Sequence, residues 1–355
     1  MGMSDVFMVR GLGEVAVASV GLATKLHFLL TVLMAGVSTA AGVLIAQNYG
    51  AGNQGSCVRV LVVSLIIGSV LMLPCMLLFS WNNSVWIGLI APDSNVVQLC
   101  SQYLLITAPA LLITQFVVIY EAGLRSIGNT IVPLLIGLAA GLANIALNYI
   151  FIFGKLGFPE MGVSGAAWGT LSARAFQLLL FWLWLCTNKN VFAPKISEVK
   201  NAINKKDISS FVSFSFPLIF NYLLWALGNS AYHIFTGYSG TGALAIMGIL
   251  APIETAFFAL FIGLANASSV MIGHSLGADK KQEAWSLFSF YDRFAFVLAI
   301  SFCGLLYLAS PWLISIFVEE QSETAEVLRD VFLIFCLLTW VKVLNLMRII
   351  GVLRA

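Results

Sequence analysis

Apolar residues run along this chain in long unbroken blocks, separated by short polar connections and without period-two alternation. A helix needs ~20 such residues to cross a bilayer, and it satisfies its own backbone there. Unbroken runs therefore predict helices, whereas barrel strands would alternate. Nine full-length spans are predicted, near 17–47, 57–90, 98–124, 130–154, 163–186, 208–236, 243–275, 283–318 and 327–353. Several exceed the bilayer and must tilt or run into the headgroups. A stub at Met1–Val9 is too short to cross.

The pattern repeats. Gly36–Ala51 reads GVSTAAGVLIAQNYGA, and 227 positions later Gly263–Ala278 reads GLANASSVMIGHSLGA, with six of sixteen residues identical. Upstream, Gly13, Ala16, Ala18 and Gly21 recur at the same offset as Gly240, Ala243, Ala245 and Gly248. Such a repeat in an apolar chain predicts two copies of one membrane bundle, an architecture usual among solute carriers.

The connections alternate in charge. One set carries Arg59, Arg125, Lys189, Lys195, Lys200, Lys205, Lys206, Lys280 and Lys281. The other carries Asp93, Glu160 and the run Glu319, Glu320, Glu323 and Glu326, with Lys155 and Arg10 as exceptions. The basic set is assigned to the cytoplasm. Gly50 and Gly277 both fall on that side, so the copies run parallel. An N-terminal lobe over 1–186, a cytoplasmic linker over 187–207 containing Pro194, and a C-terminal lobe over 208–355 are expected. Two full repeats would need 99 residues more than the 355 present, which reads as a chain cut at both ends.

Composition agrees with lipid as the solvent: 60% of residues are hydrophobic and 10% charged, with mean hydropathy +0.96. The net charge of +2 and the lack of a basic aromatic face give no reason to expect nucleic acid. The six cysteines are scattered and read as small hydrophobes. No HExxH or GxxxxGK[ST] motif occurs, and the one GxSxG match, Gly273–Gly277, falls at the end of an apolar span and not at a strand-to-helix turn, so neither catalysis nor nucleotide hydrolysis is expected, and an ion gradient is left as the energy source. No cofactor is expected beyond that coupling ion.

Five local motifs then carry a resemblance: Asp5-Val-Phe-Met-Val with Leu12-Gly13, Gln47-x-Tyr-Gly-Ala-Gly52, Leu124-Arg-Ser-Ile-Gly-Asn-Thr130, Leu147-Asn-Tyr-Ile-Phe-Ile-Phe-Gly154, and Gly162-Val-Ser-Gly-Ala-Ala167. In this order they resemble the multidrug and toxic compound extrusion (MATE) transporters along the whole chain. The resemblance implies an all-α membrane protein of two six-helix lobes, here running from a partial helix 1 to helix 10. It implies an antiporter that exports organic, mostly cationic compounds against sodium or proton entry. It also implies a multi-pass protein of the bacterial inner membrane, expected to act as a monomer on small organic substrates.

Asp5 lies in an apolar run, where a carboxylate either faces the bundle interior or sits solvated at the membrane edge. The resemblance favours the first, because the family's coupling aspartate stands at this motif position. Asn144 and Asn148 share one helical face. Their amide oxygens suit a hard monovalent cation, or else bond neighbouring helices. The resemblance adds Thr170 and makes Asp5, Asn144, Asn148 and Thr170 the expected ion-coupling site, with sodium a candidate ligand of Asp5, Asn144 and Asn148.

Glu254 follows Pro252 deep in the seventh span. It is expected either to attract a cationic substrate or carry a proton, or to pair with His233, Lys25 or Lys342. Lys25 and His27 occupy the matching first-copy positions, and Lys342 and Arg348 are further bases in apolar runs. His27 titrates near neutral pH and can gate protons, or simply pack. Asn221, Tyr222, Trp225, Phe257 and Phe258 are candidates for a drug-stacking cavity, or are ordinary bundle aromatics. Glu121 and Arg125 are spaced for a local ion pair. Two other functions are weighed. A lipid-linked oligosaccharide flippase would use Lys25, Lys342 and Arg348 for an anionic diphosphate. A membrane receptor would not need duplicated bundles, and an embedded enzyme would need convergent polar groups that the sequence does not offer.

Overall fold

The computed structural model describes residues 2–188, 190–193, 204–238, 240–317 and 323–354. Lys189, Pro194, Lys195, Lys200, Glu319 and Glu320 lie outside the described residues, as do the side chains of His233, Glu323 and Glu326.

The chain runs through α1 (Gly2–Met8), a 3-10 turn (Val9–Leu12), α2 (Glu14–Gly50), α3 (Gln54–Ser80), a short α4 (Asn83–Gly88), α5 (Ser94–Ser126), α6 (Ile131–Ile152), α7 (Gly162–Thr187), α8 (Lys205–Tyr238), α9 (Thr241–Gly277), α10 (Lys281–Phe317) and α11 (Glu323–Gly351). No strand occurs among the described residues. Among the described residues eight helices are long and apolar enough to cross a membrane, and α11 covers the ninth expected span. The span expected over 57–90 is instead broken after Ser80. Asn82 takes a left-handed conformation (φ 52°), which asparagine tolerates better than most residues. The Asn83 amide then donates to the carbonyls of Phe79 (2.8 Å) and Ser101 (2.9 Å), tying α4 to α5.

The repeat is visible in conformation as well as in letters. Helices α2 and α9 are both 37 residues long, and their bounds differ by the 227-residue offset. Each follows a glycine in a conformation closed to other residues: Gly13 (φ 102°, ψ 171°) and Gly240 (φ 106°, ψ 173°). Each ends on a left-handed residue at the matching position, Gly52 (φ 74°) and Asp279 (φ 58°). The ends are bonded alike. Asn53 N–H donates to the Asn48 carbonyl (2.9 Å) and Gly52 N–H to that of Tyr49 (2.9 Å); Lys280 donates to Ser275 (2.8 Å) and Asp279 to Leu276 (3.0 Å). This paired pattern satisfies carbonyls that the helix leaves open. Helix α5 closes the same way, through Asn129 to Leu124 (2.9 Å) and Gly128 to Arg125 (3.0 Å).

The chain packs as two compact units, Met1–Ile45 with Gln54–Ala226, and Ala46–Asn53 with Leu227–Ala355. The first holds two apolar clusters, one around Val20, Met72 and Leu104, the other around Val37, Leu61 and Phe181. The second is centred on Phe257, Phe261, Phe332 and Val343. The Phe257 ring lies 4.9 Å from that of Phe261 and 5.2 Å from that of Phe302. Within this second unit two repeat-related helix ends cross. Gly50 lies against the His274 backbone and Gly277 against the Gln47 backbone, and a Cβ on either glycine would collide. The offset of 227 maps Gly50 onto Gly277 and Gln47 onto His274, so the contact is reciprocal. All six cysteines are free.

Candidate functional site

The site begins with a close helix approach. Helix α7 carries Gly165-Ala-Ala-Trp-Gly169, small residues four apart on one face. A Cβ on Gly165 would strike the Phe151 backbone, and one on Gly169 would strike the Asn148 amide. The glycines thus let α6 and α7 pack closely enough for their polar residues to share partners. Asn144 and Asn148 sit one turn apart on α6, and Thr170 sits on α7 next to the second glycine.

Helix α1 places Asp5 against them. The carboxylate is fully buried (0% exposed). Its Oδ1 accepts from Asn148 Nδ2 (2.7 Å), and its Oδ2 accepts from Thr170 Oγ1 (2.7 Å) and from Tyr103 Oη (2.7 Å). Asn144 Nδ2 donates to Thr170 Oγ1 (3.2 Å), and Ser4 Oγ donates to Asn144 Oδ1 (2.9 Å). Taking a carboxylate out of water is costly, and these donors offset the cost at both oxygens. Asn148 Oδ1 is the odd atom out: it is buried and has no partner. The structure therefore brings Asp5, Asn144, Asn148 and Thr170 into one network.

Sequence reasoning missed Tyr103, Ser4 and Arg174. Tyr103 and Ser4 give only faint signals, since a tyrosine in an apolar run usually packs. Arg174 gave a stronger one, a cation inside the predicted span 163–186. It lines a cavity of about 220 Å³ beside the network, together with Asp5, Thr24, His27, Tyr103 and Thr170.

The other candidates are placed differently. Lys25, Asn221 and Trp225 are exposed, and none of them lines this cavity. Tyr222 Oη lies 3.1 Å from Thr39 Oγ1. The Trp225 ring is 6.5 Å from that of Phe28, which does line the cavity. Glu254, in the second unit, pairs with Lys342 at 2.9 Å, so the ion-pair alternative is the one the geometry shows. Arg348 pairs with Asp292 through both carboxylate oxygens at 3.0 Å. Two of the three bases that would serve a diphosphate are thus already matched to acids. Phe257 is core, at 3% exposed. Glu121 pairs with Arg125 at 3.4 Å, as the spacing predicts.

Comparison with known proteins decides the family. The MatE family model matches residues 1–150 and 217–355, most of the chain. The chain belongs to the MATE family. Among curated MATE relatives, the probable multidrug resistance protein YoeA of Bacillus subtilis is 24% identical over 314 residues, 88% of this chain and 68% of that protein. The probable multidrug resistance protein NorM of Agrobacterium fabrum is 26% identical over 332 residues, 92% of this chain and 70% of its own length. NorM of Thermotoga maritima is 26% identical over 291 residues, 79% of this chain and 60% of its own length. The chain thus spans about two thirds of the relatives it matches. A MATE crystal structure in the bent conformation superposes with a TM-score of 0.84, covering 99% of this chain and 77% of that one at 21% identity. An outward-facing MATE family transporter gives 0.82 at 20% identity, covering 98% and 78%. This is a multi-pass membrane protein of a multidrug efflux family, a transporter and not an enzyme.

Proposed function

We propose that the protein is an ion-coupled antiporter that exports small organic, mostly cationic compounds, and that the Asp5 network is its coupling-ion site. The observation that carries this is Asp5 itself, a carboxylate with no exposed surface held by Asn148, Thr170 and Tyr103. A buried acid of this kind can take up a proton, or bind a cation if oxygen ligands stand near. The unpartnered Asn148 Oδ1 supports a cation such as sodium, because it is a spare acyl oxygen beside the carboxylate. Turning that amide over would aim Oδ1 at Asp5, an arrangement that needs a proton or cation between them.

On this proposal the lobes are 1–186 and 208–355, joined by a cytoplasmic linker over 187–207 in a bacterial inner membrane. Ion binding at Asp5 shifts the α1, α6 and α7 contacts, and the lobes rock between two access states. Reconstituted in proteoliposomes, the protein is expected to export a cationic dye against an imposed sodium or proton gradient. Asp5→Asn keeps the shape and removes the charge, so gradient-driven export should disappear while binding of the dye persists. Undiminished export by Asp5→Asn would refute the assignment.

A further inference from the structure

We infer that the cavity beside Asp5 holds the carboxylate end of its cargo, with Arg174 as the residue that selects it. The inference rests on the export function proposed above and names a substrate class for it, organic compounds that carry a carboxylate together with an N–H donor.

Arg174 is a cation inside a membrane-spanning helix, which is costly unless something compensates it. Its Nη1 donates to Gln177 Oε1 (2.9 Å), and Gln177 is itself buried and donates through Nε2 to Glu121 Oε1 (3.2 Å). That contact anchors the guanidinium at one corner. Arg174 takes part in no ion pair among the described residues. The two acids whose charge reaches it, Glu121 and Asp5, are both committed elsewhere. Glu121 pairs with Arg125, and both Asp5 oxygens already accept hydrogen bonds. The guanidinium thus keeps free N–H groups on a cavity wall, in the fork geometry that matches a carboxylate.

The opposite polarity is present too. His27 Nδ1 lies 3.0 Å from the Ala23 carbonyl, an acceptor, so this nitrogen carries the proton. In the neutral ring Nε2 is then an acceptor, and it is buried without a partner, as is Thr24 Oγ1. Both residues line the same cavity as Arg174, with Phe28 and Met34 giving apolar wall. A volume of about 220 Å³ suits one ring-sized end of a cargo rather than a whole large dye. The walls therefore ask for a small aromatic end bearing an anion for Arg174 and a donor for His27.

The test uses the purified protein and two probes of one shape, 4-aminobenzoate and 4-aminobenzamide, with binding read by calorimetry. The wild type should prefer the carboxylate by roughly tenfold or more. Arg174→Gln should erase that preference, and Arg174→Lys should restore part of it. Equal affinity for the two probes in the wild type, or an unchanged preference in Arg174→Gln, would overturn the inference. Export by the same protein is measured separately with rhodamine 110, which bears a carboxylate, and rhodamine 123, its methyl ester. A preference for 4-aminobenzoate without export of either dye would refute the export function and leave the carboxylate site standing. Export of both dyes with no carboxylate preference would do the reverse.

Discussion

Asp5 and Glu254 are both carboxylates set in apolar segments, and the two units of the chain handle them in opposite ways. Asp5 is surrounded by neutral donors from three helices, α5, α6 and α7, and no base among the described residues pairs with it. Glu254 meets Lys342 directly, and the lysine side chain is 61% exposed. Arg348 and Asp292 repeat that solution in the second unit. An acid neutralised by a fixed base has little left to exchange. An acid held by neutral hydroxyl and amide groups keeps its charge available to a proton or ion. The difference teaches that depth in an apolar run does not fix which partners a carboxylate finds.

The largest effect is expected from replacing the carboxylate that has no base. Asp5→Ala would leave the buried donors of Asn148, Thr170 and Tyr103 unmatched, at about 1–3 kcal/mol for each group, not fully additive. It should lower thermal stability in detergent as well as abolish coupled export, whereas Asp5→Asn should abolish export alone. Equal stability of the two variants would break the contrast. Next comes Gly169→Val, which pushes a side chain into the Asn148 amide. Overpacking of this kind costs about 1–3 kcal/mol. Coupled export of cationic and neutral compounds alike should fall.

The reciprocal crossing in the second unit offers a test of the repeat itself. Gly50→Ala and Gly277→Ala each place a methyl against backbone, where little can give way. Each should reduce thermal stability, by about the same amount, because the two contacts are related by the repeat. Strongly unequal losses would show that the crossing is not symmetric in energy. The smallest effect should come from the exposed pair. A double-mutant cycle on Glu254→Gln and Lys342→Met is expected to give a coupling under about 1 kcal/mol. A value well above that would mean the pair is shielded from water. Glu254→Gln should also weaken export of cations more than of neutral compounds; equal losses would assign it a folding role.

Much of this was legible in the sequence, and particular residues show why. Glycines at 13, 52, 128 and 154 stand at helix boundaries because left-handed or extended positive-φ backbone is strained for other residues. Those glycines stand in four of the five motifs that carried the family resemblance, so the motifs are partly helix starts and stops and not chemistry. The repeat predicted α2 and α9 as equivalents, and the structure gives them equal lengths and matching ends. The break at Asn82 was not legible, since the residues on either side continue the apolar run. Tyr103 was missed because nothing local distinguishes a tyrosine that bonds an acid from one that packs.

By itself, the sequence determined the solvent, most of the helices and the duplication. Those follow from local quantities: apolar length and glycine positions. Which acid is left without a base was decided only in three dimensions. Asp5 is 139 residues from Asn144 and 165 from Thr170, and it reaches them because glycines on α7 let α6 close in. Glu254 finds Lys342 across 88 positions by the packing of α9 on α11. A carboxylate's partners are set by helix contacts between distant segments, and no local pattern in the chain records them.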